Sequence, residues 1–241
     1  MTTAGAHSAP ELAPVQWGVT DAALAWFVSL VFGALAVAPF VDHGHIPHAD
    51  EPLATVVGLV FQTGATIAFL FVVARGKGRG SLARDFGLRI HLRDCWWIGV
   101  GFVVSLIGLG LIEPILELGH LHQSSQDVKR ILDHAHGADL GLMVLGVLVI
   151  APVGEELLFR GALGRGLQRR FDAGPALFIS AMAFALVHVA LDPGTGFGVP
   201  ALVLLGLVSG VRAVKTRDLS QSLFLHMGFN LVAVVVRLGH F

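Results

Sequence analysis

The chain contains no tyrosine and one cysteine, Cys95. A single cysteine rules out an intrachain disulfide and a cysteine-built metal cage. Charge is scarce as well. Asp, Glu, Lys and Arg together make up 14% of the residues, against about 25% in ordinary soluble domains. The formal net charge is -1, so there is no basic excess of the kind that recruits nucleic acid. Residues 1–18 hold no lysine or arginine, so the charged start of a secretory signal peptide is missing. The small residues and prolines of that stretch predict a short disordered tail. Internal repeats and low-complexity tracts are absent, which counts against a transporter built from two related halves.

What the chain has in excess is apolar surface. Hydrophobic residues make up 54% and the mean hydropathy is +0.75. Apolar runs near the length of ~20 residues that spans a bilayer fall at 19–41, 53–74, 95–118, 139–160, 175–192, 198–213 and 219–238. Open strands leave backbone groups unsatisfied in lipid. The expected fold is therefore all-α, a polytopic transmembrane helix bundle of about seven spans, with eight possible. Basic residues alternate between loops. Arg75, Lys77, Arg79, Arg84, Arg89 and Arg93 follow the second run, Arg165, Arg169 and Arg170 the fourth, and Arg212, Lys215 and Arg217 the sixth. The intervening loops are nearly bare. This bias predicts a cytoplasmic N-terminus and an external C-terminus. The lack of tyrosine and the heavy use of Ala, Gly, Val and Leu point to the plasma membrane of a bacterium or archaeon.

Charged and polar groups within spans are costly and usually face the bundle interior. Three sets stand out. The stretch IAPVGEELLFRG carries Glu155, Glu156 and Arg160. On a continuous helix Glu156 and Arg160 are an i, i+4 pair, which leaves Glu155 pointing elsewhere. The fifth run has one titratable group, His188, with Phe184 a turn before it. The seventh carries His226 and Asn230, also i, i+4 and on one face. Each set has a plain explanation: a charged helix end, a packing histidine, polar glue between helices. Together they supply carboxylate, imidazoles and carboxamide, the groups a hydrolytic site requires. They can share one layer if the fourth helix runs on from 139 to about 170. Glu155 then lies about 14 residues from its far end, roughly 21 Å at 1.5 Å per residue.

These stretches resemble a known family. GEELLFRG fits EExxxR, FALVH fits FxxxH and HMGFN fits HxxxN, in that order and on separate spans. The set is similar to the CPBP family of intramembrane endopeptidases, which includes the type II CAAX prenyl endopeptidases and the bacterial Abi proteins. The likeness covers residues 139–236, expected as the catalytic core; residues 19–138, with the first three spans, carry no matching motif. The resemblance implies that Glu155 activates water, that His188 helps to hold that water, and that His226 and Asn230 stabilise the oxyanion. Glu156 and Arg160 would be a supporting pair and Phe184 a packing neighbour. It also implies a peptide or protein substrate embedded in or adjacent to the membrane, with the lipid bilayer as surroundings.

No serine or cysteine belongs to a comparable constellation, so a covalent nucleophile is not expected. Two histidines and a glutamate (His188, His226, Glu155) could also bind Zn²⁺ with an open position for water, although HExxH spacing is absent. Direct activation by glutamate, without a cofactor, is the reading adopted. A non-catalytic membrane scaffold or bacteriocin-immunity protein of the same fold is the alternative. Separately, His43, His45 and His48 lie in one predicted external loop and His120, His122, His134 and His136 in another. Histidine-rich loops can bind metal or respond to pH, but a compositional bias in ordinary polar loops is the reading preferred.

Overall fold

A computed structural model describes residues 15–119, 131 and 135–239. Within them the backbone is helical apart from turns and an isolated bridge between Asp42 and His45. The helices are α1 (Val19–Val37), α2 (Glu51–Lys77), the short α3 (Leu82–Asp85), α4 (Trp97–Gly119), α5 (Gly137–Leu167), α6 (Ala173–Leu191), α7 (Val199–Thr216) and α8 (Ser220–Gly239). Six stretches, formed on α1, α2, α4, α5, α6 and α7, are long and apolar enough to cross a membrane, and α8 carries a shorter apolar stretch, Ser220–Val236. The chain is thus an integral, multi-pass membrane protein. The expected seven spans are six long ones and this shorter seventh.

Local sequence explains the helix limits. Pro52 and Pro200 sit in the first turns of α2 and α7, where a missing N–H costs nothing. At the other end of α7 the chain turns left-handed at Arg217 (φ 58°), whose N–H bonds back to Ala213. α1 lies along α2, α4 along α8 and α6 along α7, while α5 touches α1, α2, α6, α7 and α8. α5 is therefore the axis of the bundle. It runs 31 residues from Gly137 to Leu167 without a break, so the charged motif lies inside the helix and not at its end.

The predicted basic loops after α2, α5 and α7 meet at one end of the bundle. Arg165 donates to the carbonyls of Asp85 (3.1 Å) and Arg217 (2.7 Å). Arg169 stacks over Trp17 at 3.8 Å and donates to its carbonyl. Trp17 in turn donates to Asp85 at 3.1 Å. This corrects the expectation of a disordered head reaching residue 18. Trp17 is buried, and the Gln16 amide bonds to the Lys77 carbonyl. An indole with a carboxylate partner is an anchor that a composition-based reading does not register. Residues 1–14 lie outside the described residues.

α4 and α8 approach until their backbones touch. A Cβ on Gly101 would overlap the Leu225 carbonyl, and one on Gly228 the Ile98 carbonyl. Small residues permit such contact between membrane helices, and here the contact fixes the height of His226, which lies between Leu225 and Gly228. Gly228→Ala has backbone on the far side and no flexible side chain to displace. We expect it to destabilise the protein by about 1–3 kcal/mol, the usual range for overpacking. Thermal unfolding in detergent measures this, and an unchanged midpoint would contradict the contact.

Candidate active site

α5 is not a regular α-helix where the motif falls. Gly146–Ile150 and Glu156–Gly164 are π-helical, separated by an α segment at Ala151–Glu155. π turns within helices frequently mark functional sites. Pro152 contributes to this one. It has no N–H to return to the turn before it, and in the π register its partner would have been Val147. Asn230 of α8 fills that gap, its Nδ2 donating to the Val147 carbonyl at 2.9 Å. On the other side Thr63 of α2 donates to the Ile150 carbonyl at 3.0 Å. A Cβ on Gly154 would stand 2.7 Å from that same Thr63 hydroxyl. α2 and α8 thus grip α5 through two of its carbonyls, about one and two turns before the glutamates.

Glu155, Glu156, His188 and His226 meet. His226 Nδ1 and Glu156 Oε1 are 2.9 Å apart. His226 Nε2 is 3.4 Å from Glu155 Oε2, and His188 Nε2 is 3.8 Å from Glu155 Oε1. His188 Nδ1 lies 2.8 Å from the Phe184 carbonyl. A carbonyl only accepts, so Nδ1 donates to it and Nε2 is the ring nitrogen that faces Glu155. Glu156 and His226 are fully buried, whereas Glu155 and His188 are about a quarter exposed. The partly exposed pair lines a cavity of about 80 Å³ between α1, α2, α5 and α6.

Behind the carboxylates lies the expected Glu156–Arg160 pair, at 3.4 Å. Arg160 Nε donates to Ser209 Oγ of α7 at 2.9 Å. Its guanidinium stacks on the Phe184 ring at 4.5 Å. That ring also contacts His188 (4.5 Å) and, edge-on, His226 (5.7 Å). Phe184 is fully buried and is the hub on which both imidazoles and the guanidinium rest.

The two glutamates do not divide as α-helical spacing suggests. Both reach His226, one at each ring nitrogen, so Glu156 belongs to the histidine as much as to Arg160. Asn230 is committed to a backbone carbonyl of α5. Gln62, Thr63 and Ser209 were not singled out from the sequence. Gln62 lines the same cavity as Glu155 and His188 and has no hydrogen-bond partner among the described residues. Its side chain lies across Gly33 of α1, where a Cβ would stand 2.8 Å from Nε2. The signal was the polar pair Gln62–Thr63 within the apolar run TVVGLVFQTGATIAFLF.

For a metal, the donor chemistry is suitable: two outward imidazole nitrogens and a carboxylate, with Glu156 behind His226 as metal-bound histidines commonly have. In this arrangement no three or more His, Cys, Asp or Glu side chains among the described residues converge tightly enough to hold an ion. That includes the described part of the histidine-rich loops. His43 and Gly44 form a tight turn with positive φ, and His48 pairs with Glu51 at 3.1 Å. His120, His122 and His134 lie outside the described residues, and His136 precedes α5.

Residues 137–232 match the family model described as type II CAAX prenyl endopeptidase Rce1-like. This segment is therefore similar to that family. A relative named "Putative membrane peptidase YdiL", from Bacillus subtilis (strain 168), is 24% identical over 225 residues, covering 88% of each chain. No solved structure matches. The matched segment holds every glutamate and histidine of the cluster, and the family is one of membrane CAAX-type endopeptidases.

The Glu156–Arg160 pair is buried on both sides. Arg160→Met alone strands the carboxylate, and loss of one buried partner typically costs about 3–5 kcal/mol. The double change Glu156→Gln, Arg160→Met should cost less than the sum of the two single changes. A double-mutant cycle on unfolding midpoints tests this, and strict additivity would count against the pairing.

Proposed function

We propose that the protein is an intramembrane endopeptidase that hydrolyses peptide bonds of membrane-embedded or membrane-adjacent substrates with a water activated by Glu155. The observation that carries this reading is the approach of His188 and His226 to within 3.8 Å of Glu155 beside a cavity. The 3.8 Å gap between His188 Nε2 and Glu155 is too long for a direct hydrogen bond, and a bridging water fits it. Glu155 takes a proton from that water as it adds to the scissile carbonyl, and His188 orients it. In its imidazolium form His226, whose Nδ1 is bonded to Glu156, can donate from Nε2 to the oxygen that becomes negative. Preorganised donors of this kind, in a site shielded from bulk water, stabilise such an oxyanion strongly. Glu155 then returns its proton to the leaving amine.

Asn230 reads as a positioning residue, because its amide holds Val147. Gln62 is the carboxamide left facing the cavity, placed to meet a substrate backbone group. If Zn²⁺ is bound, Glu155, His188 and His226 are the residues to hold it, and it would supply an acidified water. The alternative, a scaffold or immunity protein of the same fold, has no need for a partly exposed carboxylate between two imidazoles inside a membrane. A cytoplasmic N-terminus would put the basic end of the bundle in the cytosol.

Membrane proteomics of cells expressing wild type, Glu155→Ala or His188→Ala at matched levels should reveal at least one uncleaved protein accumulating in both variants. Gln62→Leu should accumulate the same species to a smaller extent. Identical peptide profiles in all strains would favour the scaffold. Once a substrate is known, purified protein should remain fully active after exhaustive chelation. Loss of activity that Zn²⁺ restores would replace the glutamate-only mechanism with a metal one.

A further inference from the structure

A second and larger cavity, about 330 Å³, opens between α5, α6 and α7. It is distinct from the Glu155 cavity and shares no lining residue with it. Its polar wall is cationic: Arg160, Arg165 and Arg217, with Gln168 and Ser180, and no acidic side chain. The three guanidinia form a ladder from surface to core. Arg217 is exposed, Arg165 half-buried and Arg160 buried.

Among the described residues none of the three forms a hydrogen bond to a carboxylate. Arg165 donates to two backbone carbonyls. The acids nearby are committed elsewhere: Asp85 to Trp17 and the Arg79 and Ser81 amides, Asp218 to His91 and the Ser220 amide. Arg160 stands near Glu156, yet neither of its terminal nitrogens has a hydrogen-bond partner. A buried guanidinium whose terminal nitrogens make an ion pair but no hydrogen bond, in the wall of a cation-lined cavity, has donors left for an acceptor with several oxygens. Phosphate is the group whose geometry a guanidinium fork fits. The cavity also opens at the basic end of the bundle, and basic pockets between membrane helices hold lipid phosphates there.

We propose that this cavity is a phosphate-binding site, filled by the headgroup of an anionic lipid or by a free phosphate. A ligand there touches the same arginine that braces Glu156, so its occupancy bears on the cluster from behind without entering the Glu155 cavity. Binding itself does not require peptidase activity.

The test uses the full chain, both as wild type and as Glu155→Ala. In uncharged detergent, unfolding is followed while inorganic phosphate is titrated against chloride at constant ionic strength. In parallel, nanodiscs of phosphatidylcholine with or without phosphatidylglycerol are analysed by mass spectrometry for retained lipid. Saturable stabilisation by phosphate identifies a free anion as ligand. Selective retention of phosphatidylglycerol without a phosphate response identifies the headgroup. Either response should fall about tenfold in Gln168→Glu and about fivefold in Arg217→Gln, since a charge-assisted contact is replaced or opposed. It should persist in Arg170→Gln, an exposed arginine outside the cavity, and in Glu155→Ala. No response to either probe overturns the proposal. So does a loss as large in Arg170→Gln as in Arg217→Gln, which would mean diffuse surface charge.

Discussion

Glu156 is a carboxylate at the centre of a bundle whose outside faces lipid, and the rest of the site depends on how it is held. A buried charge persists only when its partners are close and directional. Here they come from two directions: Arg160 from its own helix at 3.4 Å and His226 from α8 at 2.9 Å. Those two demands fix much else. His226 can reach Glu156 only if α8 stands at the right height, which its glycine contact with α4 ensures. Arg160 can reach only if it is not drawn outward, and Ser209 of α7 and the Phe184 ring of α6 prevent that. One carboxylate thereby ties α5, α6, α7 and α8 together. With His226 so fixed, its second nitrogen has no choice but to face Glu155.

The π turns explain how two adjacent glutamates serve one histidine. In a regular α-helix neighbouring side chains diverge by about 100°. Widening the turn changes that divergence and also frees carbonyls, which must find donors elsewhere. Asn230 is such a donor at Val147, and Thr63 adds a bond to the Ile150 carbonyl. Their contacts look structural, yet they are the condition for the local helix shape on which the cluster rests. Asn230 is thus part of the site without having to touch a substrate.

The fold class was legible because lipid leaves so few options: apolar runs of spanning length become helices, and basic loops gather at one end. The cluster was legible because titratable groups inside spans are rare enough to be conspicuous, and Glu155, His188 and His226 do come together. What spacing could not convey was local backbone form. The i, i+4 reading of Glu156 and Arg160 identified the pair, but it separated Glu156 from His226 because it assumed an α register. Gln62 and Thr63 were passed over since an uncharged polar pair in a span is ordinary, and only the third dimension places them opposite Gly154 and Glu155. Trp17 was hidden in a stretch whose composition reads as tail, its partner Asp85 being 68 positions away.

The two cavities stand in a definite relation to this arrangement. Glu155 and His188 open on one, between α1, α2, α5 and α6; Arg160 borders the other, between α5, α6 and α7. Phe184 is the side chain common to both neighbourhoods, its ring touching the guanidinium as well as the two imidazoles. A change at Arg160 has two short paths to Glu155: electrostatic, through Glu156 and His226, and steric, through the aromatic ring. Both paths run through groups that are almost entirely buried, where packing leaves little slack and charges are weakly screened. The arrangement therefore links the basic end of the bundle to the carboxylate that lines the smaller cavity, with no moving segment required.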